Sequence, residues 1–239
     1  MRLILSALAA SSLLLLSGCG KTAPGYPGPA PLPPDQIMSF TTLFHENCAA
    51  CHGVSGQDGP AMDLNNPEYQ AIVSSATLRQ IISNGMPGTE MPAFAQSAGG
   101  MLTARQVDAI VSGIRKRWFS AATLAGANPP PYAQSKPGNV QQGQQVYQQR
   151  CAICHQSGSQ DITDPAYLAL MSDQAIRVEI IAGRPDIGQP DWRHDSPGGK
   201  ATTPLTNQQV DDLVTYLSSL RKPAIPTGSA VNANPGEVK

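Results

Sequence analysis

The chain has 239 residues, a formal net charge of -1 and only 14% charged residues, together with 22 glycines and 22 prolines. This length allows one large domain or two domains of about 100 residues each, and the glycine and proline content indicates compact units joined by stiff linkers. The near-neutral charge and the 5% aromatic content exclude a typical nucleic-acid-binding surface, and an odd number of cysteines, five, excludes a scaffold held together by disulfides alone.

The N-terminus has the pattern of an export signal. Arg2 is followed by an apolar run over residues 3–16, which is shorter than the roughly 20 residues that a membrane-spanning helix needs. The leucine, serine and glycine that precede Cys19 resemble the end of a bacterial lipoprotein signal, in which the cysteine is lipidated and becomes the mature N-terminus. We therefore expect residues 1–18 to be a signal peptide and Cys19 to carry a lipid, with an ordinary secretory signal as the alternative.

The other four cysteines form two copies of one motif. Each copy has two cysteines separated by two residues and followed at once by a histidine, which is the signature of covalent haem attachment. On a helical turn the two thiols face the vinyl groups of a porphyrin, and the histidine on the same face brings its imidazole to the iron. The sequence predicts two covalently bound haem c groups, attached through Cys48 and Cys51 with ligand His52, and through Cys151 and Cys154 with ligand His155.

Two other readings of a paired-cysteine motif are less consistent with this chain. A zinc site needs two further ligands at each motif, and only His45 and His194 remain as histidines. A thioredoxin-like dithiol needs an alternation of strands and helices that the sequence lacks.

Both halves of the chain resemble small class I cytochrome c domains. The two halves also form an internal repeat, because the segment 165–192 aligns without a gap on the segment 67–94 at an offset of 98 positions. Prolines, glycines and apolar residues recur at matched positions, as in Pro67 and Pro165 or Gly85 and Gly183. The resemblance implies an all-α fold of two tandem cytochrome c-like helical domains joined by Pro/Gly-rich linkers.

The last helix of each half is signalled by its first residues. Thr103 and Thr206 are each followed three positions later by glutamine, which forms a capping box. An apolar stripe with helical spacing follows each box, and we interpret these stripes as core positions: Val107, Ile110, Val111, Ile114 and Trp118 in the first half, and Val210, Leu213, Val214, Leu217 and Leu220 in the second. In the family the first and last helices cross beside a glycine. Gly143 can supply it in the second half, whereas Phe40 at the matching place predicts a wider crossing in the first.

The resemblance also implies a sixth iron ligand from a methionine that precedes a proline, on a loop after a glycine-terminated helix. The first half offers Met86 and Met91 after Gly85, and Met91 is the better match because it lies several residues past the glycine. In the family a backbone carbonyl of the loop after the proximal histidine accepts its second proton, and Gly59 with Pro60 matches that loop. A sulfur ligand at Met91 predicts a comparatively high potential for the first haem.

The second half departs from this pattern, because Gln189 stands where the first half has Met91. Four possibilities are open for the second iron: His194 on the same loop, Met171, Gln189 or a lysine, or an open or water-bound position. His194 is the preferred candidate, since it lies five residues beyond Gln189. The second half also lacks a glycine-proline pair after its proximal histidine, so His155 is expected to be oriented differently.

These features predict an ordered arrangement along the chain. We expect a lipid-anchored tether over 19–38, a first cytochrome c domain over 39–120, a linker over 121–138, a second domain over 139–222 and a disordered tail over 223–239. The proline-rich tether favours extended conformations and spans up to roughly 40 Å.

Two functions follow from the resemblance and the motifs. The first is a membrane-tethered dihaem electron carrier, not itself an enzyme, which serves respiratory or photosynthetic redox partners, faces the periplasm and is anchored in the bacterial cell envelope. The second is a dihaem enzyme or ligand sensor, peroxidase-like, in which the second iron is open. No acid-base pair is evident in the sequence, and this favours the carrier.

Overall fold

A computed structural model of the protein describes residues 31–156, 161–194 and 203–221. In these ranges all regular structure is helical, with ten α-helices, three short 3-10 helices and two isolated bridges between single residues. This confirms the all-α prediction. Cys19, the signal peptide and the tail over 223–239 lie outside the described residues, and of the compact unit that ends at Gln36 only a short 3-10 helix, Pro34–Gln36, is described. None of the described helices is long and apolar enough to cross a membrane.

The first domain contains five α-helices, and four of them begin at a residue whose side chain accepts a hydrogen bond from the first turn. These caps are Ser39, Asn66, Ser74 and Thr103. Such caps satisfy backbone N–H groups that have no partner within the helix. The helices are α1 (Phe40–Asn47), α2 (Ala49–His52), α3 (Pro67–Ile72), α4 (Ser75–Asn84) and α5 (Ala104–Trp118).

The second domain repeats the same five helices in the same order. They are α6 (Val140–Arg150), α7 (Ala152–His155), α8 (Pro165–Leu170), α9 (Asp173–Ala182) and α10 (Asn207–Ser219). The bounds of α8 and α9 lie at the predicted offset from those of α3 and α4. Both predicted capping boxes are formed, at Thr103 and at Thr206.

The last helix of each domain supplies much of its core. In α5 and α10 the predicted stripe is buried, and Ile110 and Val210 are fully inaccessible to solvent. The end residues of the two stripes, Trp118 and Leu220, are partly buried against the same cores. Burial of these stripes removes apolar surface from water, which is the main force that holds each helix in place.

The first and last helices cross differently in the two domains. In the second domain a Cβ on Gly143 would lie 2.0 Å from the carbonyl oxygen of Asp212, so only glycine permits this contact. In the first domain the glycine stands on the other helix, where a Cβ on Gly113 would lie 2.0 Å from the ring of Phe40. A phenyl ring therefore fills the space that a direct backbone contact closes in the second domain.

The two domains share a packed interface. Helix α3 of the first domain lies against α9 of the second, and Val178 and Ala182 of α9 are buried in the first domain's core cluster. The linker takes part as well, because Leu124 and Ala127 pack against the second core, while the ring of Tyr132 packs against the first.

A buried ion pair of the second domain also contacts the linker. Arg177 Nη1 lies 2.5 Å from Asp211 Oδ1, and the two side chains are 1% and 0% exposed. Arg177 also donates to the carbonyl of Pro131 in the linker and to Asn207 Oδ1. At the equivalent place of the first domain, Arg79 and Asp108 form a pair whose side chains are 50% and 54% exposed.

Replacing Asp211 tests the difference between these two pairs. Asp211→Ala leaves the Arg177 guanidinium buried beside no carboxylate, and we expect it to lower the free energy of unfolding by about 3–5 kcal/mol. The matched change Asp108→Ala removes an exposed pair and should cost less than about 1 kcal/mol. Denaturant unfolding of the haem-loaded protein measures both values, and equal losses would show that burial does not set the strength of the Arg177 pair.

Candidate haem sites

The first cysteine-histidine motif forms a single helical turn. Cys48 ends α1 and precedes α2, and the backbone N–H of His52 donates to the Cys48 carbonyl at 2.9 Å. Cys48 is half-buried and Cys51 is exposed, and neither is in a disulfide. Burial, with a smaller contribution from Cys51, raises the pKa of the Cys48 thiol to about 12. Because neither thiol is in a disulfide, both are available for thioether bonds to a porphyrin.

The imidazole of His52 is oriented by one backbone carbonyl. Its Nδ1 lies 2.8 Å from the carbonyl oxygen of Met62, and because a carbonyl only accepts, Nδ1 carries the proton and Nε2 keeps its lone pair. Burial lowers the pKa of His52, an effect that the bond to Met62 partly opposes. A neutral imidazole with one nitrogen fixed and the other free is what an iron ligand requires. The residues of this turn therefore fit a covalently attached haem.

The carbonyl that holds His52 belongs to a loop with little free space. A Cβ on Gly59 would lie 2.2 Å from the Cys51 carbonyl oxygen, so glycine is required there, and the N–H of Ala61 donates to that same oxygen at 2.9 Å. The sequence pointed to Gly59 and Pro60 as the loop that supplies the acceptor. The structure shows that the acceptor is Met62, two residues beyond the proline.

The second motif forms the same turn with a different support. The N–H of His155 donates to the Cys151 carbonyl at 3.0 Å, and the Tyr147 hydroxyl donates to the carbonyl of His155 at 2.7 Å. The first domain has Phe44 at the place of Tyr147 and lacks this bond. Cys151 is half-buried, Cys154 is exposed, and neither is in a disulfide. This turn also fits a covalent haem, and the hydroxyl of Tyr147 is a supporting group that the sequence pattern did not reveal.

The loop of the first domain's sixth-ligand candidate folds tightly after α4. Gly85 has φ +70°, and a Cβ there would lie 2.6 Å from the Met91 carbonyl oxygen. The N–H of Met86 donates to that carbonyl at 3.1 Å, and the N–H of Met91 is held by the hydroxyl of Thr89. The Met91 side chain is partly buried against the first core. The structure thus places Met91 on a fixed loop with its thioether near the apolar interior.

The matching loop of the second domain holds Gln189 and His194 in different ways. Gln189 donates through Nε2 to the carbonyl of Glu179 at 2.9 Å, and its backbone pairs with that of Arg184, so its amide is committed to the end of α9. His194 Nδ1 lies 3.3 Å from Asp191 Oδ1, and its side chain is 36% exposed. Met171 is partly buried against the second core.

Comparison with known proteins agrees with two haem domains. Residues 140–221 match the family described as Cytochrome c, and residues 35–112 match the family described as Cytochrome C oxidase, cbb3-type, subunit III. A solved structure, the reducing HAO-like protein complex of Kuenenia stuttgartiensis, aligns with a TM-score of 0.41 at 17% identity, over 77% of this chain and 96% of that chain.

The similar curated proteins are oxidase subunits. The chain is 28% identical over 173 residues to the Cbb3-type cytochrome c oxidase subunit FixPc of Rhizobium leguminosarum bv. viciae, which covers 65% of this chain and 54% of that protein. It is 30% identical over 172 residues to the Cbb3-type cytochrome c oxidase subunit CcoP of Azospirillum sp. (strain B510), over 67% of this chain and 48% of that protein. The chain spans about half the length of these curated relatives.

Gly59→Ala tests the role of the loop that carries Met62. The added methyl group overlaps the Cys51 carbonyl, so the loop must shift and the bond to His52 weakens. We expect a loss of about 1–3 kcal/mol in unfolding free energy. We also expect a rise in the midpoint potential of one haem, because the imidazole then donates less electron density to iron.

Gly99→Ala is the matched control for this experiment. Gly99 has φ +87° with no atom near its Cβ position, so alanine there costs stability without touching the haem turn. Potentiometric titration should therefore show no shift for Gly99→Ala. An unchanged potential in Gly59→Ala would contradict the role of the loop.

Proposed function

Because the chain is a dihaem c-type cytochrome built from two cytochrome c domains, we propose that it carries electrons to or from a membrane-bound respiratory complex. The observation that supports this proposal is the similarity to subunits of cbb3-type oxidases, which extends over both domains. When bound, each haem supplies an iron that gains and loses one electron reversibly. The protein surrounds that iron with ligands, apolar side chains and fixed hydrogen bonds.

The proposed ligand sets give each haem a different environment. Cys48, Cys51 and His52 hold the first haem, with Met91 as the sixth ligand. Met91 lies on a loop held by Thr89 and packs against the first core, and this supports the assignment. An apolar setting and a sulfur ligand both favour the reduced iron. The first haem is therefore proposed to have the higher potential.

His194 is the proposed sixth ligand of the second haem, which Cys151, Cys154 and His155 attach. Metal-binding histidines commonly donate their other ring N–H to a carboxylate, and Asp191 lies at the right place to accept from Nδ1 of His194. This leaves Nε2 of His194 for iron. Gln189 is a weaker candidate, since its amide already caps the end of α9.

The competing function is an enzyme or ligand sensor with an open second iron. It differs from the carrier in one respect that the coordination decides: an open iron binds external ligands, and a six-coordinate iron does not. The observation that favours this second function is the partial exposure of the His194 side chain, which an iron ligand would not need.

Carbon monoxide binding to the reduced protein tests the carrier proposal. The unaltered protein should bind no carbon monoxide, because both irons have six ligands. His194→Ala should bind it at one of the two haems and gain a high-spin signal, while the weak near-infrared band of the iron-thioether bond stays unchanged. Binding by the unaltered protein would favour the enzyme or sensor, and an unchanged spectrum in His194→Ala would remove His194 from the site.

A lipid anchor is the proposed attachment to the membrane. The support for it is sequence alone, the small residues before Cys19 and the apolar run of the signal. The protein would then lie on the periplasmic side of the cell envelope, tethered near its redox partners.

Cys19→Ser tests this attachment without disturbing either haem motif. We expect the variant to leave the membrane fraction while it still carries two haems, because the other four cysteines are unchanged. Fractionation followed by a haem stain measures both properties. Retention of the variant in the membrane fraction would contradict the lipid anchor.

A further inference from the structure

One buried side chain, that of Asn66, links the start of α3 in the first domain to the end of α9 in the second. Its Oδ1 accepts from the N–H of Tyr69 at 2.9 Å and so caps the start of α3. Its Nδ2 donates to the carbonyls of Gly183 at 3.1 Å and of Ala182 at 3.4 Å, where α9 of the other domain ends. Asn66 is 5% exposed. A single amide therefore caps the first turn of one helix and the last turn of another.

Both halves of this amide have a necessary task. The last carbonyls of a helix have no partner within the helix, and a buried carbonyl without a donor is costly. Tyr69, Val178 and Ala182 pack together beside Asn66, and the charged side chains of Asp63, Glu179 and Arg184 line the same small cavity as its amide. Two ion pairs flank it, Glu68 with Arg193 at 3.2 Å and Asp63 with Arg184 at 3.8 Å.

The internal repeat supplies a natural comparison for Asn66. The matching residue of the second domain is Asp164, which caps α8 by accepting from Ala166 and Tyr167 and is exposed. A carboxylate accepts but does not donate. Aspartate is therefore sufficient for the one task at Asp164, and the amide is needed only where a second helix end must be satisfied.

The position of this contact connects the surroundings of both haem turns. The first-domain side includes Met62 and Asp63, and Met62 is the residue whose carbonyl holds His52. The second-domain side is the end of α9, which leads directly into the loop of Gln189. We propose that Asn66 is a positioning residue that holds the two domains in one fixed arrangement and thereby fixes the separation of the two haems. This deepens the proposed function, since a fixed separation sets the rate of electron transfer between the haems.

The experiment compares two substitutions at Asn66 with one at Asp164, all in the haem-loaded protein. Asn66→Asp keeps the cap on α3, removes both donors and places a carboxylate beside two carbonyls. Asn66→Ser keeps a cap without adding charge, and it serves if the aspartate variant does not fold. Asp164→Asn is the control, because it makes the reverse change at an exposed cap.

Pulsed electron paramagnetic resonance of the ferric haems measures the distribution of iron-iron distances, and nitrogen-15 relaxation measures whether the domains tumble together. We expect a single narrow distance in the unaltered protein and in Asp164→Asn. Both Asn66 variants should broaden it and loosen the joint tumbling, with the separated arrangement rising about tenfold in population, the factor expected when buried carbonyls lose their donors.

No variant should gain a high-spin signal, since Asn66 is not one of the residues that hold either haem. A narrow, unchanged distance distribution in both Asn66 variants would overturn the proposal. Because the distance measurement needs no redox partner, it can succeed even if the protein proves not to serve a respiratory complex, so the two proposals fail separately.

Discussion

The hydrogen bond from His52 Nδ1 to the Met62 carbonyl links the cofactor chemistry to the rest of the molecule. It leaves Nε2 as the free imidazole nitrogen, and in the proposed ligation it sets how strongly that nitrogen donates to the iron. The loop that provides the carbonyl is confined on one side by Gly59 against the haem turn and on the other by the second domain, through Asp63 and Arg184. The environment of the first iron thus depends on contacts that no single domain contains.

Charged residues are few, and several of them lie where the domains and the linker meet. The chain has only 14% charged residues, yet Arg177, Arg184 and Arg193 all serve contacts of the second domain with the linker or with the first domain. Arg177 is the extreme case, because its guanidinium is buried and bonded to a carboxylate, an amide oxygen and a backbone carbonyl. Pairs of this kind contribute little to stability over an apolar alternative, whereas removal of one partner is costly because it leaves a buried charge alone.

Much of the fold could be predicted from local sequence patterns. The capping boxes, the stripes of α5 and α10 and the repeat offset could all be predicted, since each depends on residues a few positions apart or on direct comparison of the halves. Arg177 could not be separated from Arg79 in this way, because the partners that bury it, Pro131 of the linker and Asn207, lie 46 and 30 positions away. The sequence indicated the loop that accepts from His52 but not which carbonyl does so, since loop geometry and not spacing decides which carbonyl points inward. The role of Asn66 depends on partners 116 and 117 positions away.

The domain interface also constrains how the two copies of the repeat can be arranged in a gene. The positions that face each other across it have different residues in the two copies: Asn66 and Glu68 correspond to Asp164 and Ala166, and Arg184 and Arg193 correspond to Met86 and Ala95. A chain assembled from two first copies would have a methionine and an alanine in place of Arg184 and Arg193, opposite Asp63 and Glu68. A chain assembled from two second copies would have a carboxylate in place of the Asn66 amide, and so no donor at the end of the facing helix. Recombination between the halves would therefore remove from the interface either the two arginines or the capping amide. The interface therefore depends on having one copy of each kind, just as each haem site depends on its own cysteine-histidine motif.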